Sequence, residues 1–383
     1  MPTTFIIEPD PAGHRFQYAA HIAAVAARST RVVLLTSVGG STREEYATHL
    51  GHLGVDAREA FGSKTPAPSE VVAALQQSGA GRGDVVVVPE ADKMITSWWR
   101  ALPAGYPRRD SRPHVVLLML QVPSHISWRD RRGWARSGAK VALAVVTRVR
   151  GAADTVASLV AQGDPSRGLL LRHVRDPAIC SHRARDQAEL RRRLGLPAGT
   201  PLVSVLGVVS ARKNVPLVAD AVFRLGGRAT LVLAGWLLPE IEDWLAGLDD
   251  QRRDRVIVRR GHLPDEELDA YVAASDVVAV AHSNNGPSGL MGKALAAGTP
   301  ALTAGSRVRA RDAARWETVL HTDLDVDALA AALDRLVRHP PSLGNRSRAD
   351  LPTGEQFASA LLAGAPSGRT APQPTPGARA GSH

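Results

Sequence analysis

The loop Gly207-Val-Val-Ser-Ala-Arg-Lys-Asn214 follows an apolar run and precedes a helical pattern. A strand end, a glycine that admits a ligand close to the backbone, and two adjacent cations, Arg212 and Lys213, make a phosphate cradle. Lysine is rare here, five among 47 basic residues, which favours a positional reason for Lys213. The alternative is a solvated turn with surface cations. A second segment, Asp276 to Pro300, reads as a strand, a polar loop through Asn285, a small-residue helix and a Gly-Thr-Pro turn. The backbone N–H groups of Ser288, Gly289 and Leu290 would open that helix, and such an end suits a diphosphate. The alternative is a tight connection that uses glycine for packing.

Other candidates are weaker. Glu90 and Asp92 lie in Pro89-Glu-Ala-Asp-Lys93 after an apolar strand. Their carboxylates could bind acceptor hydroxyls, although a solvated turn with Asp92 as a helix cap is the simpler reading. Trp98, Trp99, Arg100, Trp128, Arg129, Arg131, Arg132 and Trp134 gather aromatics and cations, four of the seven tryptophans among them. That mixture suits a bilayer interface or an extended anionic acceptor, or partly buried tryptophan with snorkelling arginine. Asp323-Leu-Asp-Val-Asp327 looks like a metal motif but precedes a helical pattern, so capping and dipole compensation explain it.

These candidates need elements to hold them. The chain has 383 residues, 44% hydrophobic, which suits two ordinary domains. No apolar run reaches membrane-spanning length, and the N-terminus lacks a secretory pattern. One cysteine, Cys180, excludes an internal disulfide framework and points to a reducing, cytoplasmic setting. The net charge of +10 comes from scattered arginines, so an anionic substrate or membrane surface explains it at least as well as nucleic acid.

Short apolar runs at Phe5–Glu8, Val32–Thr36, Val85–Val88, Val115–Leu120, Val141–Val146 and Leu169–Val174 read as strands, with helices at Arg15–Ala27, Thr42–Leu53 and Ala152–Gln162. After a connection at Arg175–Pro197 the rhythm restarts. Strands are expected at Leu202–Leu206, Thr230–Ala234, Val256–Val258, Val277–Val280 and Ala301–Thr303. Helices are expected at Val215–Leu225, Glu240–Leu248, Glu266–Ala274, Gly289–Ala297 and Val326–Arg338. The fold class is α/β: two Rossmann-like doubly wound parallel-sheet domains, 1–175 and 176–364, with a cleft between them and a disordered tail over 365–383.

Over Leu202–Leu336 the spacing resembles the C-terminal domain of GT-B-fold glycosyltransferases, nearest to the retaining family four. The matches are Gly207 and Lys213, Ala234-Gly235, Gly261 with Pro264-Asp-Glu-Glu-Leu268, Ser275-Asp-Val277, and Lys293-Ala-Leu-Ala-Ala-Gly-Thr-Pro-Ala301. The resemblance implies transfer of a hexosyl unit, with retention, from a nucleotide diphosphate sugar to a hydroxyl acceptor such as a small molecule, lipid carrier or polysaccharide. It adds Gly235 and His262 to the donor-binding set and makes Asp276 structural. It places Gly13 at a backbone approach to donor phosphate or acceptor, and His125 against the donor sugar. The family's paired glutamates are replaced by Asn285 and Lys293, and an arginine by Val208. Asn285 would orient the sugar by hydrogen bonds. Lys293, a donor only, would meet ribose oxygens weakly or turn to the diphosphate. No cofactor or metal is expected, since fixed cations can stabilise the leaving diphosphate. The lost glutamates motivate one rival, a catalytically inactive relative serving as partner subunit or sugar-binding module. An epimerase or hydrolase would need acid and base carboxylates that the matched segments do not supply.

Overall fold

The computed structural model describes residues 1–11, 15–98, 111–120, 131–164, 168, 170–282, 288–342, 344 and 348–366, without the side chains of 131–137, 307 and 308. The first half forms a seven-stranded parallel sheet from β1 (Thr3–Ile7), β2 (Arg31–Ser37), β3 (Asp56–Phe61), β4 (Val85–Val88), β5 (His114–Met119), β6 (Thr155–Val160) and β7 (Arg172–Arg175), in the order β3-β2-β1-β4-β5-β6-β7. The second half forms a six-stranded parallel sheet from β8 (Leu202–Leu206), β9 (Thr230–Gly235), β10 (Val256–Arg260), β11 (Val277–Val280), β12 (Ala301–Ala304) and β13 (Val319–Thr322), in the order β10-β9-β8-β11-β12-β13. Both orders reverse direction in mid-sheet, between β1 and β4 and between β8 and β11, where doubly wound sheets open a crevice beyond the carboxyl ends of their strands.

The crossovers are helices: α1 (Arg15–Ala26), α2 (Glu44–His49), α3 (Pro68–Gln77), α4 (Ile95–Trp98) and α5 (Arg131–Val149) on the first sheet. On the second are α6 (Gln187–Leu194), α7 (Val215–Arg224), α8 (Pro239–Ala246), α9 (Asp250–Arg253), α10 (Asp265–Ala274), α11 (Gly289–Ala297), α12 (Arg307–Ala313) and α13 (Val326–Arg338). Strands β8 to β12 of the second sheet and helices α11 and α13 lie close to their expected places, while the edge strand β13 was not expected. In the first half two assignments are corrected. Val141–Val146 is part of α5, not a strand: Val146 and Val149 face solvent while Ala144 is buried, the one-sided burial of a helix. Thr155–Val160, expected to be helical, is a strand buried at all six positions, as its β-branched Thr155, Val156 and Val160 favour. β3 was not expected because it is a polar edge strand, Asp-Ala-Arg-Glu-Ala-Phe.

A final helix, α14 (Gly354–Leu362), expected within the C-terminal domain, packs on the N-terminal one. Phe357, Ala358 and Leu361 are buried with Phe16, Tyr18 and Ile22 of α1, and the Phe357 ring stacks on Tyr18 with centroids 5.2 Å apart. The Thr353 side chain accepts from the Gln356 N–H while Gln356 returns a bond to Thr353, closing a capping box. Arg172 of β7 donates to the Leu361 carbonyl at 3.2 Å. The chain therefore crosses back and straps its two halves. Asp325 accepts from Ala328 N–H at 2.9 Å and starts α13, as expected of a cap. Among the described residues no helix is long and apolar enough to cross a membrane.

Phe357 is the largest of the strap's buried apolar side chains. Phe357→Ala should destabilise the N-terminal domain by about 3–5 kcal/mol. Denaturant unfolding followed in that domain checks this; an unchanged midpoint would show that α14 is a passive ornament.

Candidate functional site

The carboxyl end of the second sheet and helices of the N-terminal domain border a cleft of about 700 Å³. Its C-terminal wall is built from strand ends: Gly207, Val208, Arg212 and Lys213 after β8, Gly235 and Trp236 after β9, His262 and Leu263 after β10, and His282 after β11. Ser288, Gly289, Leu290 and Lys293 of the α11 segment complete it. The opposite wall is Gln17 and Tyr18 of α1 and Thr48 and His49 of α2, with Asp176 and Pro177 between the domains.

The phosphate-type turn after β8 is set by backbone approach. Gly207 has φ +83°, and Gly235 has φ +130° with its α-carbon so near the Gly207 carbonyl that a Cβ would lie 1.9 Å from that oxygen. No side chain fits there, which gives Gly235 a packing role. The pairing of β8 and β9 then continues past the strands, Gly207 N–H to Ala234 O at 2.9 Å and Val209 N–H to Trp236 O at 2.8 Å. The turn Ala211–Lys213 folds Lys213 back beneath Gly207, where its Nζ donates to the Leu206 carbonyl. Asn214, in the left-handed region at φ +50°, anchors the turn by donating to Ala281 O at 2.6 Å.

Positive groups gather at the β8–β11 reversal, while Glu44, Glu45, Asp176, Asp265 and Glu266 line other parts of the cleft. Burial, then Arg212, lowers the Lys213 ammonium to about 7. Burial and the charges of Lys213, Arg309 and Arg212 press His282 down to about 3, so it is neutral. Arg309 of α12 is fully buried, donates to the His282 carbonyl, and is lowered to about 10 by burial and Arg212. Arg309 and His282 were not singled out in the sequence; a buried arginine and a strand-end histidine carry no local signal. Lys213 and Arg212 thus line the cleft at the β8–β11 reversal, with Arg309 buried behind His282, and the lowered values record burial and neighbouring positive charge.

Ser288 caps α11, its Oγ accepting from Met291 N–H at 3.4 Å, so its hydroxyl serves the helix and its backbone faces the cleft. Gln162 Nε2 reaches across to the Ser288 carbonyl at 3.5 Å and donates to Asp176 at 3.2 Å. Gly292 permits this: a Cβ there would lie 2.6 Å from Gln162 Nε2. Asp176 also accepts from Tyr18 Oη at 2.7 Å, and burial raises its carboxyl to about 7. Across the cleft mouth His49 Nε2 lies 3.1 Å from Asp265 Oδ2 at the start of α10. Asp176, Tyr18 and His49 were missed because their partners are distant in sequence.

Lys293 lines the cleft but is paired with Asp269 at 2.6 Å, and Asp269 also accepts from Ser181 N–H at 2.8 Å. Its charge is answered from behind, so its reach toward a diphosphate is restrained. Asp276 is structural, as expected: it holds Leu202 N–H at 2.6 Å and Arg191. Two N-terminal expectations are corrected. Asp92 is buried, bound to Lys140 at 2.8 Å and to Leu120 N–H at 2.5 Å, so it ties β5 to α5 rather than meeting an acceptor. Glu90 is paired with Arg15, which also holds Asp10, and is not among the cleft residues. Trp98 is core, its indole N–H donating to Ala152 O at 3.0 Å. Asn285, His125 and Gly13, and the remaining tryptophans of the Trp/Arg stretch, lie outside the described residues or side chains. Among the described residues no group of three or more His, Cys, Asp or Glu could hold a metal ion.

Residues 200–339 match the family model "Glycosyl transferases group 1". No curated protein matches the chain. Among solved structures, HepE of Anabaena in complex with UDP is 17% identical, with a TM-score of 0.60 over 94% of this chain and 95% of that one. Sucrose-phosphate synthase of Thermosynechococcus elongatus is 19% identical, with a TM-score of 0.60 over 95% and 94%. A glycosyltransferase of Rickettsia africae is 10% identical, with a TM-score of 0.60 over 95% and 99%. At these identities the likeness shows the fold, which spans both domains. The cations and the α11 start fall inside residues 200–339, the segment similar to that family, and the fold that both domains share with these structures is GT-B.

Proposed function

We propose that the chain moves a hexosyl unit from a nucleoside diphosphate sugar to a hydroxyl acceptor with retention at the anomeric carbon. The observation that carries this reading is that Arg212 and Lys213 line the same cleft as Ser288, Gly289 and Leu290 at the start of α11. HepE has been solved with UDP and with UDP-glucose, which supports a donor of that class. Breaking the sugar–phosphate bond adds a negative charge to the leaving diphosphate. Fixed cations and the backbone N–H groups of Ser288, Gly289 and Leu290 meet that charge without reorganising, which is what lowers a barrier. Asn285 orients the sugar, and the wall formed by Tyr18, His49 and Asp176 excludes water once the cleft is filled. The acceptor enters from the N-terminal side, and no metal is needed for this step.

Lys213 gives the sharpest test. Its value of about 7 in the empty protein means that at pH 8 it is mostly neutral. A bound diphosphate favours the ammonium, so binding takes up close to one proton per nucleotide at pH 8. Affinity should be greatest below about pH 7 and decline as pH rises above it. Calorimetry of nucleoside diphosphate binding in buffers of different ionisation heat measures the uptake; pH-independent binding from 7 to 9 would remove Lys213 from the phosphates. Lys213→Ala should abolish the uptake and weaken binding roughly tenfold to a hundredfold.

The Asn285 role predicts a different signature. Asn285→Ala should lower turnover more than donor affinity, because a contact that strengthens in the transition state acts on kcat. Steady-state kinetics with the best donor from a panel of UDP-, GDP-, ADP- and TDP-sugars decides this. A wild type that binds donor yet never turns over would favour a sugar-binding partner subunit instead.

A further inference from the structure

Trp236 lies in the cleft wall yet is 61% exposed, and Val208, beside it, is 55% exposed. The backbone explains their adjacency. Val209 and Leu237 form a parallel bridge beyond the ends of β8 and β9, and Leu238 N–H donates to Val209 O at 2.9 Å. Val209 and Leu237 turn into the core, where both are buried. Side chains alternate along extended backbone, so Val208 and Trp236, each one residue earlier, turn the other way, into the cleft. Two bare apolar side chains on neighbouring strand ends form a flat shelf about one strand spacing across, some 4.8 Å per step. Apolar surface left this exposed inside a cleft marks a ligand face.

The shelf's place identifies the ligand part. Val208 directly follows Gly207 of the phosphate turn, and a Cβ on Gly207 would lie 3.7 Å from Lys213 Nζ. On the far side of Trp236, His262 and Leu263 end β10 and continue the same wall. A ligand whose phosphates sit at Lys213 therefore has, one strand away on the same rigid domain, an aromatic face bordered by polar backbone. A planar heterocycle with apolar faces and a polar edge fits that sequence of surfaces.

We infer that Trp236, with Val208 beside it, stacks on the base of the nucleoside diphosphate whose phosphates Lys213 and the start of α11 hold. This rests on the proposed donor reading. Stacking uses the π face that every base possesses, so it adds affinity with little discrimination among bases.

The test separates base from phosphates. Calorimetry on the full chain compares inorganic pyrophosphate with whichever of UDP, GDP, ADP and TDP binds most tightly. Trp236→Ala should weaken the nucleotide roughly tenfold or more and leave pyrophosphate unchanged within about twofold, while Trp236→Phe keeps most of the affinity. Equal loss for both ligands would mean a disturbed phosphate turn and overturn the stacking. Unchanged nucleotide affinity with a raised KM for acceptor would assign the shelf to the acceptor and also overturn it. A wild type that binds nucleotide no better than pyrophosphate refutes the shelf but keeps the phosphate site; one that binds neither removes the donor reading and the shelf together.

Discussion

The ligand-facing half of the cleft depends on one close approach, the backbone of Gly235 against the carbonyl of Gly207. A Cβ on Gly235 would collide with that carbonyl, and both residues stand at positive φ, which favours glycine. Because they do, the β8 and β9 ends keep pairing into the loop region and hold Val208 and Trp236 side by side. The same approach leaves a niche beneath the turn into which Lys213 folds, bonded to Leu206 O. A side chain at residue 235 would push the turns apart and displace the cation, the shelf and the neighbouring anchor Asn214 together.

Charge is the second organising element. A buried ammonium without a carboxylate beside it is unfavourable, and Lys213 responds by shifting toward the neutral form. Burial likewise lowers the nearby Arg309, and burial, then Lys213 and the neighbouring arginines, holds His282 neutral. The same logic separates Lys213 from Lys293: the latter is neutralised by Asp269 and contributes shape and hydrogen bonds more than field.

The two domains are joined by contacts of different character. At the hinge, Tyr18, Asp176, Gln162 and the Ser288 carbonyl form a buried polar chain from α1 to the start of α11. A buried polar chain of this type fixes orientation strongly because a broken member leaves an unpaired group. Gly163 N–H adds a second link, donating to Asp312 of α12 at 2.7 Å. At the mouth, the His49–Asp265 pair is partly exposed and weak by comparison. Stiff hinge and light rim together suit a cleft that opens at its mouth.

Much of this was legible in the residues. The glycines, the lone lysine after β8 and the small-residue helix at 289–297 are local signals, because strand ends, turns and helix starts each need particular residue types within a few positions. That locality also made the second sheet readable almost strand by strand. The first sheet was less so, since short apolar runs such as Val141–Val146 fit a one-sided helix and a buried strand alike until neighbours are known. Burial and long-range pairing decided the rest. Sequence alone placed Asp92 and Glu90 after a strand; only packing against Lys140 and Arg15 took them out of contention. It showed a Glu-to-Lys replacement at 293, but Asp269, 24 residues away on another helix, decided what that lysine's charge does. Arg309, His282, Asp176 and Trp236 became site residues only in three dimensions. Their electrostatic and apolar character depends on what surrounds them, and that environment is assembled from strands and helices far apart along the chain.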